Sequence, residues 1–129
     1  MLRILVDTHI LLWAHLEPHR LPERARELLA GADNDVLFSA ASIWEIAIKA
    51  QLKRAHFRVS AAQLAVEARR NGFLERPVHA DVAARVAALP MHHGDPFDRL
   101  LIAQAMAEPA RFLTVDARLA SYSELVTVV

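Results

Sequence analysis

The stretch Leu2-Arg3-Ile4-Leu5-Val6-Asp7-Thr8-His9 decides the fold. From Leu2 to Val6 it is apolar except at Arg3. A run this short and apolar on both faces suits a strand covered on both sides, as in a parallel sheet. It stops at Asp7, and Ile10 to Leu16 then read as a helix. A buried strand followed at once by a helix is the opening of an α/β unit.

The rest of the chain repeats that alternation. Pro22 stands as the first residue of a helix running to Ala30, which Gly31 closes. Asp33, Asn34 and Asp35 turn the chain into a strand over Val36–Phe38. A long helix is expected from Ser42 to Lys53, and another from Ser60 to Asn71, stopped by Gly72. Leu74–Val78 reads as a short strand, Asp81–Leu89 as a helix ending at Pro90, and His92–Pro96 as a loop. Phe97–Ala107 is helical, Arg111–Val115 a strand, Ala117–Tyr122 a helical turn, and Val126–Val129 a last strand. Short apolar strands alternating with amphipathic helices predict α/β architecture: a mainly parallel central sheet of about five strands between helical layers. No repeat or linker divides the sequence, so residues 1–129 are read as one domain.

Composition narrows the chemistry. With 129 residues, 54% of them hydrophobic, a substantial core is available. There is no Cys, which excludes disulfides, thiolate nucleophiles and Cys-based zinc sites. Arg3, Asp7 and His9 interrupt the apolar N-terminus and no small-residue cleavage site follows, so no signal peptide is expected. No apolar run is long enough for a membrane span. A cytoplasmic protein is the expectation. Fifteen basic residues balance fifteen acidic ones, so a nucleic-acid partner would have to be met by a local patch or through a metal ion. Three glycines cannot build a phosphate-cradling loop, which sets P-loop and dinucleotide enzymes aside.

Four acids carry the remaining argument, and each has an ordinary structural reading. Ser42-Ile43-Trp44-Glu45 has the spacing of a capping box, and Glu45 can pair with Lys49 four residues on. Asp98 falls in the first turn of a helix opened by Asp95 and Pro96. Asp7 and Asp116 follow strands at positions that cap helices. Taken together, the acids suggest more. Asp7 and Asp116 end strands, and Glu45 and Asp98 open helices entered from the same side. In a parallel sheet such positions converge on the edge where ligands bind. Ser, Thr or Asn would cap equally well, and four carboxylates in one place repel. A hard divalent cation with oxygen ligands, Mg²⁺ or Mn²⁺, would neutralise them and could activate water against a phosphodiester. Thr8 and Ser39 could support such a site by bonding a carboxylate or a metal-bound water, or could cap helices.

These segments resemble one known family. Ile4-Leu5-Val6-Asp7-Thr8-His9, Ser39-Ala40-Ala41-Ser42-Ile43-Trp44-Glu45-Ile46-Ala47-Ile48-Lys49, His92-His93-Gly94-Asp95-Pro96-Phe97-Asp98-Arg99 and Leu113-Thr114-Val115-Asp116 are similar, in order and spacing, to PIN-domain ribonucleases, and specifically to VapC-type toxins of bacterial toxin–antitoxin pairs. The resemblance spans nearly the whole chain. It implies a three-layer PIN-like fold and Mg²⁺-dependent cleavage of RNA. It further implies frequent homodimers and inhibition by a small cognate antitoxin. Asp7, Glu45 and Asp98 match the family's three core acids, and Asp116 its more variable fourth.

Other residues carry competing readings. Trp13 and Trp44 are read as packing residues on helices. His92 and His93 could bind metal or act as acid–base groups, but they are read first as loop histidines facing solvent or capping structure. Arg99 could meet phosphate, orient a carboxylate or form a structural salt bridge. Lys49, Lys53 and Arg54 could guide RNA, though a solvated helix face explains them as well. A fold that only binds RNA or protein without cutting it is the rival reading, and the complete acidic set speaks against it.

Overall fold

The computed structural model describes residues 1–52 and 59–129. Five strands form one sheet: β1 (Arg3–Val6), β2 (Asp35–Ser39), β3 (Leu74–Arg76), β4 (Arg111–Thr114) and β5 (Val126–Val128). Their order is β3-β2-β1-β4-β5, and every neighbouring pair is parallel. The helices are α1 (Thr8–Leu16), α2 (Glu23–Ala30), α3 (Ala40–Gln51), α4 (Ala61–Arg70), α5 (Ala80–Arg85) and α6 (Pro96–Ala107). Short 3-10 turns cover Pro18–Arg20, Val86–Ala88 and Ala117–Tyr122.

The apolar run in β1 has its expected cause. Side chains alternate across a strand, and both faces of this one are covered. Ile4 and Val6 enter one core with Ile10, Phe38, Ile46 and Leu64, while Leu5 enters the opposite core with Leu37, Leu101, Ile102 and Phe112. The expected three layers, helices on both faces of a parallel sheet, are therefore present. Arg3, the exception in the run, turns to Glu108 at the end of α6. Its Nη2 lies 3.0 Å from Glu108 Oε2, and Arg76 takes the other carboxylate oxygen.

Several boundaries differ from the sequence reading. The helix expected from Ser42 starts at Ala40, because Ser39 ends β2 and caps the helix through its own side chain, accepting from Ala41 N at 3.0 Å. Lys53, its expected last residue, lies outside the described residues, as does Arg54. The expected helix Asp81–Leu89 is a short α5 that tightens into the Val86–Ala88 turn. Among the described residues, no helix is long and apolar enough to cross a membrane.

Gly72 ends α4 as its position suggests. Its φ is +86°, Gly72 N–H bonds the Arg69 carbonyl and Phe73 N–H bonds that of Ala68, both at 3.0 Å. This closes the helix with a left-handed residue, which a Cβ disfavours. Gly72→Ala should therefore lower stability in urea by about 1 kcal/mol. Gly94→Ala, at ordinary φ with nothing within 4 Å of the added carbon, should change it by less than about 0.5 kcal/mol. Equal midpoints for the two variants would remove this account of the α4 terminus.

Candidate functional site

The strand order reverses between β1 and β4, and Asp7 and Asp116 follow the C-terminal ends of those two strands. A parallel sheet opens a crevice at such a point because its connections leave in opposite directions. Here the crevice is a cleft of about 380 Å³ lined by Asp7, Glu45, Asp98 and Asp116, together with Thr8, Lys49, His93 and Arg118.

Asp7 caps α1. Its Oδ1 accepts the Ile10 N–H at 2.8 Å and its Oδ2 accepts the Thr114 hydroxyl at 2.5 Å. It is 4% exposed. Burial raises its pKa above the usual carboxylate value, the Thr114 and Ile10 bonds oppose that, and the Glu45 charge adds to it. Each Asp7 oxygen accepts one bond, which leaves a second lone pair on each.

Glu45 does not take part in a capping box. Because α3 begins at Ala40, Glu45 lies in its second turn, out of reach of the helix start. It is 3% exposed and held between two helices. Thr8 Oγ1 lies 2.7 Å from Glu45 Oε1 and 3.0 Å from Ser42 Oγ. One hydroxyl proton serves one acceptor. The shorter, charge-assisted bond to Glu45 takes it, and Ser42 donates to Thr8. Lys49 Nζ meets Glu45 Oε2 at 2.5 Å, the expected i,i+4 pair.

Asp98 is freed from capping by its neighbour. Asp95 caps α6, accepting from Phe97 N at 2.8 Å and Asp98 N at 3.3 Å, with Pro96 in the first turn. Asp98 therefore points its carboxylate into the cleft. Burial, then the charges of Asp95, Asp7 and Glu45, push its pKa up to about 6, against the lowering bond from His93. Asp116 behaves oppositely. It caps the Ala117–Tyr122 turn through Arg118 N at 3.0 Å, and the Arg118 guanidinium grips both its oxygens at 3.0 and 2.8 Å. That side-chain bond holds the Asp116 pKa below the usual range.

Other expected site residues land elsewhere. Ser39 spends its hydroxyl on the α3 cap and does not line the cleft. Arg99 does not line the cleft: its Nη2 donates to the Val86 and Leu89 carbonyls at 3.1 and 3.0 Å, tying the preceding turn to α6. Trp44 is not buried in the core; it is 58% exposed, although its ring meets Phe97 edge-on at 5.2 Å. Two residues go beyond the sequence reading. His93 reads first as a loop histidine facing solvent or capping structure, yet its Nε2 lies 3.1 Å from Asp98 Oδ2. Arg118 carried no sequence signal except its place two residues after Asp116.

The geometry also tests whether a divalent cation suits the site. The Glu45 charge raises the pKa of Asp7, and the charges of Asp7 and Glu45 raise that of Asp98, so the three form a concentrated negative charge that is only partly offset by Lys49 and Arg118. Their unshared lone pairs are oxygen donors, which suit Mg²⁺ or Mn²⁺. The residues present fit such an ion.

The family model for the PIN domain matches residues 4–125. The chain is 34% identical over 127 residues to Ribonuclease VapC22 of Mycobacterium tuberculosis, covering 95% of this chain and 93% of that one. Among solved structures, VapBC2 from Rickettsia felis, bound to a DNA fragment from its promoter, superposes with a TM-score of 0.68 at 15% identity, covering 96% of each chain. VapC20 of Mycobacterium tuberculosis, a toxin that cleaves the sarcin-ricin loop, superposes with a TM-score of 0.61 at 16% identity, over 92% of this chain and 93% of that one. At such identities the two structures show a shared fold.

Crowded carboxylates make metal-free stability depend on pH. Asp98 titrates at about 6 when folded and near 3.8 when unfolded, so the folded chain holds the extra proton between those values. Stability in EDTA should rise as pH falls from about 7 towards about 4. Asp98→Asn should raise stability at pH 7.5 by on the order of 1 kcal/mol, allowing for solvent screening, and flatten most of that rise. A wild-type melting temperature that is flat or falling over this range would contradict the crowding.

Proposed function

Since the chain belongs to the PIN domain family and is a VapC-type ribonuclease, we propose that it is the toxin of a toxin–antitoxin pair. In this reading it acts in the cytoplasm and hydrolyses RNA phosphodiesters at the acidic cleft with Mg²⁺ or Mn²⁺. The observation that carries the proposal is the meeting of Asp7, Glu45, Asp98 and Asp116 in one cleft at the reversal of strand order. Phosphodiester hydrolysis needs a charge to balance the phosphate and a nucleophilic water, and this chain offers no Cys for covalent catalysis.

Asp7, Glu45, Asp98 and Asp116 would hold the cation. When bound, it lowers the pKa of a coordinated water and offsets the phosphate charge. The protein's own residues do the rest. Thr114 and Ile10 fix Asp7 from both oxygens, and Thr8 and Lys49 fix Glu45. These bonds hold the carboxylates in place before any ligand arrives, so little order has to be gained on binding. Lys49 and Arg118 supply positive charge along the cleft, which a chain of zero net charge needs locally to admit a polyanion.

Two protein partners accompany this reading. The antitoxin would inhibit by covering the cleft, and an arginine from its tail would satisfy the carboxylates as Arg118 satisfies Asp116. A second copy of the chain would cover apolar helix surface, of which exposed Trp44 and Leu52 on and after α3 are examples.

The test is RNA cleavage by the purified chain over a panel including tRNA and ribosomal RNA, with Mg²⁺, with Mn²⁺ and with EDTA. Asp7→Asn, Glu45→Gln and Asp98→Asn should each lower kcat by about 10²-fold or more, and Asp116→Asn by less, since Arg118 already engages both its oxygens. Thr8→Val should lower it by about 10-fold through a loosened Glu45. Activity that survives both EDTA and Asp98→Asn would remove the metal-nuclease reading. Metal-independent binding of RNA without cleavage would favour a binding module.

A further inference from the structure

The loop before α6 carries more than a connection. Tyr122, 9% exposed, ends the 3-10 turn that Asp116 begins. Its hydroxyl accepts the His93 N–H at 2.9 Å and donates to the His93 carbonyl at 3.3 Å. One side chain thus satisfies both main-chain groups of His93, and the neighbouring His92 ring packs edge-on against the Tyr122 ring at 5.0 Å. A solvent-facing loop histidine would need no such clamp. The clamp leaves the His93 imidazole 14% exposed and aimed at Asp98. One atom from each of His93, Asp98 and Asp116 lies within 4.8 Å of the others, close to the separation spanned by ligands of a single ion.

The geometry points to His93 as a nitrogen ligand at the Asp98–Asp116 side of the cleft, with Tyr122 as the residue that positions it. This rests on the metal-dependent reading above. The donor set on this side is then one imidazole and two carboxylates, whereas Asp7 and Glu45 present oxygen only. Imidazole nitrogen favours Mn²⁺ and the later first-row ions over Mg²⁺, which prefers oxygen and water. His93 therefore gives the site a preference among ions, not only affinity. Ligation would use the neutral ring with its proton on Nδ1, so that Nε2 offers its lone pair to the ion in place of its bond to Asp98. Asp116 is available to the same ion because its grip on Arg118 is an exposed pair, with Arg118 side chain 70% exposed, and such pairs exchange readily.

The alternative is that His93 only orients Asp98 by hydrogen bonding, and the two roles separate in a metal titration. Binding to the metal-free full chain is followed by the loss of the free Mn²⁺ EPR signal, with Mg²⁺ added as competitor, and by the visible absorption of added Co²⁺. His93→Gln keeps a hydrogen-bond donor for Asp98 but replaces the ring nitrogen by an amide. We expect it to weaken Mn²⁺ about tenfold or more and Mg²⁺ by less than about threefold, and to change the Co²⁺ spectrum. Tyr122→Phe, which removes only the clamping hydroxyl, should shift the same ratio in the same direction by a smaller factor, with its melting temperature checking that the fold persists. Equal loss of both ions, or an unchanged Co²⁺ spectrum, would overturn the ligand role of His93. Wild-type chain that takes up neither Mn²⁺ nor Co²⁺ would overturn the metal-dependent reading along with it.

Discussion

Two nearly buried carboxylates and a third, partly exposed one line the same cleft and repel one another, and that repulsion is the constraint the rest of the cleft answers. Asp7 and Glu45 are almost fully buried, and Asp98 is pushed up to about 6 in pKa by its burial and by the acids around it. Like charges so placed oppose folding. The fold contains them with short, charge-assisted bonds from Thr114, Thr8 and Lys49, and with a parallel sheet whose two cores hold the strand ends rigidly on either side. A group of residues that lowers stability in isolation and is held this firmly has the character that a cation site requires.

Helix capping explains how the acids are aimed. Asp7 and Asp116 cap the elements that follow them, yet each retains oxygen lone pairs toward the cleft. At α6 the two duties are divided. Asp95 does the capping, so Asp98, one turn-position further in, has no structural obligation and faces its neighbours. At α3 Ser39 does the capping, and Glu45 is carried a full turn into the helix, where Thr8 of α1 reaches it. The same side of the sheet thus gathers helix starts, and the N-terminal dipoles there lessen the repulsion among the acids.

Much of this was legible in the chain itself. A strand apolar on both faces at Leu2–Val6 required layers on both sides, and the alternation that follows it required a parallel sheet; both are present. The strand-end positions of Asp7 and Asp116 and the Asp95-Pro96 start of α6 were equally readable, since each depends on neighbours within a few residues. The errors came where a partner distant in sequence decided the outcome. Ser42-x-x-Glu45 has the spacing of a capping box, but Ser39, held at the end of β2 by its pairing with β3, caps the helix instead, so α3 begins two residues earlier and the box never forms. Arg99 looked like a site residue from its place beside Asp98, but an α-helix turns successive side chains by about 100°, and it faces the Val86–Ala88 turn instead. Trp44 lies on the outer face of α3 for the same reason.

Sequence by itself determined which segments are strands and helices, that the sheet is parallel, and which acids stand at its carboxyl edge, because local periodicity and caps fix those. Tertiary structure alone decided which groups stand beside the acids. His93 comes to Asp98 because Tyr122, 29 residues later, clamps its main chain from both sides. Thr8 and Thr114 reach Glu45 and Asp7 across 37 and 107 residues. Hydrogen bonds of that separation leave no periodic trace in a single chain, since either partner alone is an ordinary polar residue, and only the packing of helices on the sheet brings them within reach.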